Sequence, residues 1–525
     1  FPKITLMTRK DNLTKNVGKI SSGTFLSRIS GLVRDIVLTH FLGVTRVADC
    51  FGIAFVIPNM LRGLFGEGAL AAAFIPVYTE IKEKRSRTEA ISFAVNLLSI
   101  LTIVLIVLVI LGILLAPLII KLIAPGFSAE AQILTANLTR ILFPYLFLIG
   151  LTSVIISILN AHSIFFYPSL SPAMLNLGII LPVLVYTFIN DTTLVQKAML
   201  FSGGVLLGGV FQLTVNLHLI RKIGYKFKFF INLKQEELKG VWRRMVPGII
   251  GIGIREVNVV VDTLLASMLV TGTVAALQYG NRLMQLPLGV FGMALGAAVL
   301  PLFSKHTAHN DIQGLKKSIE DSLNMIILIM LPIIALILVL GKDMIAVVFQ
   351  HGEFGVKALN MTFSALVFYS FGLLSHSSVR IFATAFFSLK NTKKPMLISA
   401  VAVISNIILN IILMKLMQLR GLALATSIAA TIQATILFFA LRKKIGKIDL
   451  RVISINFVKI IFLSVLLGLG LYYLQDKLSV FDFHGRWFLL GKVILLFTIA
   501  VLIYILGLKI LRIDSAKKIY HDFKA

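Results

Sequence analysis

Charged side chains lie inside several long hydrophobic segments of this sequence, where charges are rare and usually functional. Seven of them are arginines and four are carboxylates, so cations are in excess. A charge at the bilayer centre costs about 2.5–3.5 kcal/mol on insertion scales, so such residues usually face a bundle interior or a wet cavity. The arginines are Arg28, Arg34, Arg62, Arg140, Arg255, Arg282 and Arg380, and the carboxylates are Asp35, Glu67, Glu256 and Asp262.

Five of these arginines fall in the first two hydrophobic segments of each half of the chain. They are Arg28, Arg34, Arg62, Arg255 and Arg282. A guanidinium group presents a rigid fork of donors that matches phosphate and carboxylate bidentately, so the pattern predicts a cavity for an anion, most naturally a phosphate or diphosphate. A structural alternative stays open, in which arginine–carboxylate pairs hold the helices together. The candidate pairs are Arg28 with Asp35 and Arg34 with Glu67.

A second group of polar residues suits a small cation. Asn406 and Asn410 are four residues apart, so they share one helix face. Thr426 follows in the next hydrophobic segment, and Asp262 supplies a carboxylate. One carboxylate with neutral oxygens is the ligand chemistry of a small hard cation. Hydrogen bonding between helices explains the same residues and is favoured on spacing alone.

Motifs for enzyme chemistry are missing from the sequence. It contains no HExxH, CxxC, GxSxG or GKS/T pattern, and its nine histidines are scattered. A paired-aspartate metal motif, which membrane enzymes acting on polyprenyl diphosphates often need, is also missing. We therefore expect a protein that is not an enzyme and has no catalytic residue or bound cofactor.

The composition identifies the elements that must position these residues. Of 525 residues, 58% are hydrophobic and 14% are charged, and the mean hydropathy is +0.94. Soluble proteins carry about 25% charged residues, so this surface is too apolar for water. The single cysteine, Cys50, excludes a disulfide framework. The apolar runs do not alternate as barrel strands do, so the sequence predicts an all-α polytopic membrane protein.

Fourteen segments are long and apolar enough to be transmembrane helices. Two of them, 90–120 and 322–341, contain no charge. The others are 20–42, 50–79, 131–160, 168–190, 198–220, 245–270, 274–304, 358–389, 395–414, 421–441, 452–475 and 487–508. Segments 2 and 8 contain prolines within glycine-rich sequence, which predicts bends in helices that line a cavity. These prolines are Pro58, Pro76, Pro287 and Pro301.

The net charge of +28 is explained by topology. With the N-terminus inside, the predicted inner loops and termini hold 33 Lys and Arg residues, whereas the predicted outer loops hold nine. This asymmetry places both termini in the cytoplasm. It makes anionic phospholipid the expected partner of the basic loops and excludes nucleic acid. The polar and basic residues 1–19 predict no signal peptide.

An internal repeat favours a transporter. Residues 69–76 (ALAAAFIP) align with residues 294–301 (ALGAAVLP) at an offset of 225. Arg28 and Asp35 align with Arg255 and Asp262 at an offset of 227, and each pair shares a helix face. The matches predict two six-helix halves followed by two extra helices. Transporters with such repeats bind substrate between the halves near the bilayer midplane.

The motifs of segments 1, 2 and 8 resemble those of the MurJ (MviN) lipid II flippases. They are SRISGLVRD (27–35), PNMLR (58–62), FGEGA (65–69), FIP (74–76) and NRLMQLP (281–287). The likeness covers nearly the whole chain, including the two extra helices. It implies the fold of the multidrug/oligosaccharidyl-lipid/polysaccharide exporter superfamily, with two pseudo-symmetric six-helix lobes plus helices 13 and 14. The implied parts are a tail (1–19), an N-lobe (20–223), a basic linker (224–244), a C-lobe (245–444), a lipid-tail groove (445–512) and a second tail (513–525).

The resemblance also implies roles for individual residues. Matched by motif, the cavity arginines that engage diphosphate and headgroup are Arg28, Arg34, Arg62 and Arg282, and the cavity or gating acids are Asp35, Asp49 and Glu67. Arg255 and Glu256 are further cavity candidates. Some relatives carry a sodium site, whose matching positions here are Asp262, Asn406, Asn410, Leu422 (by its carbonyl) and Thr426. Asn410 stands where the resemblance leads us to expect a carboxylate.

The resulting hypothesis is an alternating-access flippase in the bacterial inner membrane. Its substrate would be lipid II, the undecaprenyl-diphosphate-linked peptidoglycan precursor, moved from the cytoplasmic to the periplasmic leaflet. Membrane potential is the expected driving force, and sodium coupling is the alternative. Proteins of cell-wall synthesis would be its partners. A flippase for another polyprenyl-diphosphate-linked polysaccharide, a multidrug-type antiporter, and a non-transporting scaffold or enzyme of wall synthesis remain open.

Overall fold

The chain is described by a computed structural model that covers residues 2–63, 69–189, 191–225, 228–479, 485–511 and 513. These residues form helices and connecting turns, and no β-strand occurs among them. The predicted all-α class is therefore confirmed. Side-chain caps begin several of the helices: Ser86, Ser128 and Thr193 each accept a hydrogen bond from the backbone N–H three residues later.

Eighteen α-helices and one π-helical turn follow one another along the described chain. The helices are α1 (Pro2–Leu42), α2 (Arg46–Arg62), α3 (Ala69–Lys84), α4 (Arg87–Ile123), α5 (Ala129–Leu142), α6 (Pro144–Ala161), α7 (Phe166–Ile189), α8 (Leu194–Lys222), α9 (Glu236–Ser267), α10 (Thr273–Pro287), α11 (Met293–Ala308), α12 (Ile312–Phe349), α13 (Val356–Ser370), α14 (Leu373–Ser388), α15 (Lys393–Met417), α16 (Leu419–Ile445), α17 (Arg451–Ser479) and α18 (Arg486–Ile510). The π-helical turn, Leu288–Gly292, directly follows Pro287 and links α10 to α11. Over its described residues, each predicted hydrophobic segment coincides with one helix or with two consecutive helices.

Nine helical segments of the described chain are long and apolar enough to cross a bilayer. A tenth is the pair α13–α14, which is bent by 44°. The count of fourteen spans stays a prediction. The predicted segments outside these ten are 1, 2, 7 and 8, formed by α1, α2–α3, α9 and α10–α11.

The same four segments carry most of the predicted site residues. Arg28, Arg34 and Asp35 lie on α1, and the other arginines and acids of the anion site lie on α2, α9 and α10 or between α2 and α3. Charges lower the hydropathy of a helix, and such a helix is tolerated in a membrane protein when it faces protein or water. The charges of α1 and α9 keep these two long helices outside the ten, whereas α2, α3, α10 and α11 are each too short to cross a bilayer alone.

The chain divides into two compact units, Phe1–Val274 and Ala275–Ala525. The first contains α1–α9, and its close helix pair is α7 and α8. A Cβ atom added to Gly178 would lie 2.2 Å from the Cα atom of Gly208, so only glycine permits this approach. The helix α9 begins at Glu236, inside the predicted linker, because Glu236 and Glu237 favour a helix N-terminus. The predicted lobe boundaries stay a prediction.

The second unit joins the two extra helices, α17 and α18, to α12. Asn456 Nδ2 donates to Asn324 Oδ1 at 3.0 Å, and Gln475 Nε2 donates to Asp343 Oδ2 at 3.0 Å. Both contacts have a sequence separation of 132, so α12 and α17 are parallel and in constant register. Lys492 Nζ on α18 lies 3.0 Å from the same Asp343 oxygen. These polar contacts fix the extra helices to the second unit.

Candidate functional site

Arg34 on α1 makes hydrogen bonds that connect α1 to α7. Its Nε and Nη2 donate to Asp35 Oδ1 at 3.0 and 2.6 Å, and its Nη1 donates to Asn176 Oδ1 at 3.0 Å. Asn176 Nδ2 in turn donates to Ser30 Oγ at 2.8 Å. Three guanidinium nitrogens therefore bond to protein acceptors. Arg34 therefore pairs with Asp35, which the sequence paired with Arg28, and Glu67, the predicted partner of Arg34, lies outside the described residues.

Arg28 lies on the same helix, almost two turns before Arg34, and its side chain is exposed. On α10 of the second unit, Arg282 is also exposed. An exposed guanidinium group can present its donor fork to an anionic ligand. Within their own units, Arg28 and Arg282 are thus more accessible to a substrate than Arg34, whose side chain is 13% exposed.

Arg62 ends α2 and is half-buried, and its Nε donates to Asn59 Oδ1 at 3.0 Å. The next residue is Gly63. A Cβ atom there would lie 3.5 Å from Glu256 Oε1, so the buried carboxylate of Glu256 on α9 approaches the end of α2. A predicted arginine and a predicted acid are therefore brought to one region of the first unit.

Two predicted site residues cannot be placed. Glu67 and the side chain of Arg255 lie outside the described residues. Their roles stay predictions. The aligned carboxylate Asp262 is half-buried on α9, where its Oδ2 accepts a hydrogen bond from Asn258 Nδ2 at 3.0 Å.

Asp49 is buried in the first turn of α2, with 1% of its surface exposed. Its Oδ2 accepts a hydrogen bond from the backbone N–H of Gly272 at 2.6 Å, in the turn after α9. Gly272 has a φ of +92°, and a Cβ atom there would lie 2.5 Å from Val44 Cγ1, so both conformation and space require glycine. The predicted gating acid thus binds one particular turn.

Arg46 adds a second contact to this turn. Its Nη2 donates to Thr271 Oγ1 at 2.8 Å, its Nη1 lies 3.9 Å from Asp49 Oδ2, and its guanidinium lies 4.7 Å from the centre of the Phe127 ring. We call Arg46, Asp49, Thr271 and Gly272 the turn clamp. It joins α2 to the end of α9 on the predicted outer side.

The sequence analysis assigned no role in the candidate site to Asn176, Gly272 or Arg380. Asn176 and Gly272 act through tertiary contacts that no local pattern reveals. Arg380 on α14 was noted as a charge but had no repeat partner. A Cβ atom at Gly296 would lie 3.9 Å from Arg380 Cβ, and one at Gly292 would lie 3.9 Å from its Cδ. The spacing of these two glycines, four residues apart beside a π-helical turn, was the available signal.

The second unit brings together four of the five predicted sodium ligands. Asn410 Nδ2 donates to Asn406 Oδ1 at 2.7 Å, and Asn406 Nδ2 donates to Thr426 Oγ1 at 3.4 Å. Thr426 Oγ1 donates to the carbonyl of Leu422 at 3.2 Å. All four donors are neutral, and the fifth predicted ligand, Asp262, belongs to the first unit. Among the described residues, no group of three His, Cys, Asp or Glu could hold a metal ion.

Comparison with known proteins decides the family. A family model described as "Lipid II flippase MurJ" matches residues 38–502. The chain belongs to the MurJ family. Membership confirms the resemblance drawn from the motifs, and it makes the chain a transporter-family protein and not an enzyme. With its apolar helices, it is a multi-pass membrane protein.

Individual MurJ relatives match over most of their length. Two proteins from Buchnera aphidicola, both named "Probable lipid II flippase MurJ", are 30% and 32% identical to this chain. The first match covers 89% of this chain and 90% of the relative, and the second covers 87% and 88%. The chain therefore spans nearly the full length of these relatives.

Solved structures give the same result for the fold. A structure described as "Lipid II flippase MurJ, inward closed conformation" has a TM-score of 0.78 and 28% identity, covering 96% of this chain and 99% of the other. An inward-facing multidrug resistance MATE family transporter of the MOP superfamily has a TM-score of 0.65 at 17% identity, covering 80% and 94%. The second likeness shows a shared fold alone.

The turn clamp generates a prediction for Asp49. Replacing Asp49 by Ala removes the acceptor of a charge-assisted hydrogen bond worth about 1.5–3 kcal/mol, so the amide hydrogens around Gly272 should exchange about tenfold faster or more. Hydrogen–deuterium exchange of the peptide that covers residues 268–274 measures this. Asp49→Asn is the matched control, because it keeps an acceptor oxygen and should retain most of the protection. Unchanged exchange in Asp49→Ala would contradict the clamp.

Proposed function

We propose that this chain moves lipid II, a polyprenyl-diphosphate-linked wall precursor, from the cytoplasmic to the periplasmic leaflet by alternating access. Family membership supports the substrate class, because the relatives are named for flipping lipid II. The observation that carries the proposal is the placement of arginines on α1, α2, α9 and α10, in the first two predicted segments of each half. Charged side chains in such segments need protein, water or an anion around them.

Arginine chemistry explains why such an environment suits a diphosphate. A diphosphate that leaves water loses strong hydration, and guanidinium forks replace the lost hydrogen bonds bidentately. We assign binding of diphosphate and headgroup to Arg28, Arg34, Arg62 and Arg282. Arg28 and Arg282 are the principal ligands, since their side chains are exposed, whereas Arg34 positions α1 through Asp35 and Asn176. The prenyl tail stays in lipid beside α17 and α18.

In the predicted lobe arrangement, in which α9 begins the C-lobe, the turn clamp would change during the cycle. Asp49 and Arg46 bind the turn after α9 on the predicted outer side. Opening that side would break the Asp49–Gly272 hydrogen bond. The clamp therefore favours the state in which the predicted outer side is closed.

Membrane potential is the proposed driving force. Moving one negative charge outward across an inside-negative membrane gains about 2.3 kcal/mol per 100 mV. Sodium coupling stays the alternative. Four of the predicted sodium ligands are neutral and linked by hydrogen bonds in the second unit, and a small cation would need the carboxylate of Asp262 beside them.

Other activities are less well supported. A multidrug-type antiporter shares the fold, yet binding a cationic drug needs acid in the site, whereas arginines exceed carboxylates here. A flippase for another polyprenyl-diphosphate-linked polysaccharide would use the same arginines. In living cells, depletion of the protein distinguishes these alternatives. Lipid II itself should accumulate in the inner leaflet, and another lipid-linked sugar would accumulate there if the specificity differed.

The arginine assignment predicts the behaviour of two variants. In proteoliposomes, Arg28→Ala and Arg282→Ala should each lower lipid II flipping at least tenfold, because a lost charge-assisted contact is worth about 1.5–3 kcal/mol. The assay measures lipid II that an impermeant reagent can reach. Arg140→Ala is the control, since Arg140 also lies in a predicted span but bonds to Asn137 on its own helix. Full flipping by both site variants would refute the assignment.

The driving force predicts a response to an imposed potential. With a lumen-negative potassium diffusion potential of about 60 mV, the equilibrium ratio of outer to lumenal lipid II should rise about tenfold per net charge moved. Sodium and choline salts at equal ionic strength should give the same ratio. Protein-free liposomes are the control. A ratio of outer to lumenal lipid II that does not change with the membrane potential, but changes with a sodium gradient, would contradict this mechanism.

A further inference from the structure

The segment between α8 and α9 is attached along one side of α4. Phe230 N donates to Ser99 Oγ at 3.1 Å, and Asn232 N donates to Asn96 Oδ1 at 2.8 Å. Asn96 Nδ2 returns hydrogen bonds to the carbonyl of Asn232 at 2.9 Å and to Gln235 Oε1 at 2.7 Å. We call residues 228–235 the strap.

The strap is also fixed just before it begins. The hydroxyl of Tyr225 is buried and hydrogen-bonds to Tyr78 and to His162 Nε2. Burial, with Lys82 and Arg87 nearby, lowers the pKa of His162, so its ring is neutral at pH 7. The position of the strap on the first unit is therefore set by its own contacts with α4 and by those of Tyr225 before it.

The part of α4 to which the strap is attached is buried on all sides. Residues 93–99 are buried without exception, almost two full turns, whereas an amphipathic helix would expose one face. Farther along, α4 presents large apolar side chains to the outside from Ile103 to Leu122. The helix thus has a protein-covered part followed by a lipid-facing part.

The length of the lipid-facing part indicates how deep in the bilayer the strap lies. From Ile103 to Leu122 there are nineteen steps along α4, or about 28 Å at 1.5 Å per residue. This length matches the hydrocarbon core of a bilayer, about 30 Å thick. Ser99 and Asn96 lie about 6 and 10 Å beyond its edge by the same rise. The headgroup layer is about 5–8 Å thick on each side, so the part of the strap bound to Ser99 lies within it and the part bound to Asn96 lies just beyond its outer edge.

The side chains of the strap and of the first two turns of α9 suit a headgroup layer. Large apolar groups are strongly exposed: Phe229 by 69%, Leu233 by 72% and Trp242 by 62%. Tryptophan prefers this interface, where its ring is partly apolar and its N–H can reach polar groups. In water such a patch would be unfavourable.

The charge of this region points to the partner. Residues 221–244 contain eight basic residues and two acidic ones. One of the acidic residues, Glu237, forms an ion pair with Arg85 at 2.6 Å. Its negative charge is therefore compensated by Arg85 and does not neutralise the lysines of this region. Lys228, Lys234 and Lys239 are exposed. Basic residues at the level of the headgroups attract anionic lipids.

We propose that the strap and the first two turns of α9 form a binding surface for acidic phospholipids of the adjacent leaflet, the predicted cytoplasmic one. The apolar side chains insert among the upper acyl segments, and Lys228, Lys234 and Lys239 bind the headgroup phosphates. This surface is separate from the predicted transport arginines. It does not depend on the identity of the transported lipid.

The two tryptophans of the chain permit a direct test, because Trp242 lies in the surface and Trp487 begins α18. The full-length Trp487→Phe variant, in nanodiscs, has Trp242 as its only tryptophan. The bilayers contain phosphatidylglycerol and phosphatidylcholine in a fixed ratio. In one arm the bromine atoms are on the phosphatidylglycerol chains, and in the other the same number of bromine atoms is on phosphatidylcholine chains.

We expect Trp242 fluorescence to be quenched at least twofold more strongly when bromine is on the acidic lipid. Adding Lys228→Gln, Lys234→Gln and Lys239→Gln should make the two arms equal. A control set, Lys357→Gln, Lys415→Gln and Arg420→Gln, removes three basic residues from predicted outer loops and should preserve the difference. A Trp242→Phe variant reports from Trp487 that bromine reaches the protein and that the substituted chains are folded.

Two results would overturn the proposal. Equal quenching in both arms before the lysines are replaced would remove the preference for acidic lipid. No quenching of Trp242 in either arm, while Trp487 is quenched, would place the surface in water or against another protein.

Discussion

An arginine within a bilayer must be hydrated, paired or bound to an anion, because the hydrocarbon core offers it no partner. This constraint organises the chain. Five of the seven intramembrane arginines lie in the four predicted segments outside the ten apolar ones, and we expect these four to face protein or water. The charged helices are the first two of each half of the sequence. Their position in the chain, rather than the chemistry of any single residue, identifies the functional part.

The structure shows that the charges do not all serve the same purpose. Arg34 connects two helices through Asp35 and Asn176, whereas Arg28 remains exposed on the same helix. Asp49 binds a backbone amide in a glycine turn and restrains α9. The proposed mechanism uses both kinds of residue. Some hold the charged helices in place, and the exposed ones are the proposed ligands of the diphosphate.

Much of the fold follows from local sequence. Apolar length predicts the helices, and Pro287 lies directly before the π-helical turn of the eighth segment. The motifs of segments 1, 2 and 8 predict the family, which the full-length match confirms. These features depend on residues close together in the sequence, so their physical causes can be recognised without a structure.

The remaining features depend on contacts between distant residues. Asn176 lies 142 residues from Arg34, and Gly272 lies 223 residues from Asp49. The linker was predicted as a basic loop, but its attachment to α4 through Asn96 requires the tertiary structure. The predicted sodium ligands show what sequence spacing can and cannot predict. Their spacing predicts that they meet, and they do, but spacing does not reveal that they hydrogen-bond to one another.

Recognition of a diphosphate by arginines of the charged segments is tested most directly by equilibrium binding of the purified full-length protein to lipid II and to the same lipid built on a monophosphate. We expect at least tenfold tighter binding of the diphosphate, since one charge-assisted contact is worth about 1.5–3 kcal/mol, and a loss of that preference in Arg28→Gln. Equal affinity of the native chain for the two lipids would contradict it.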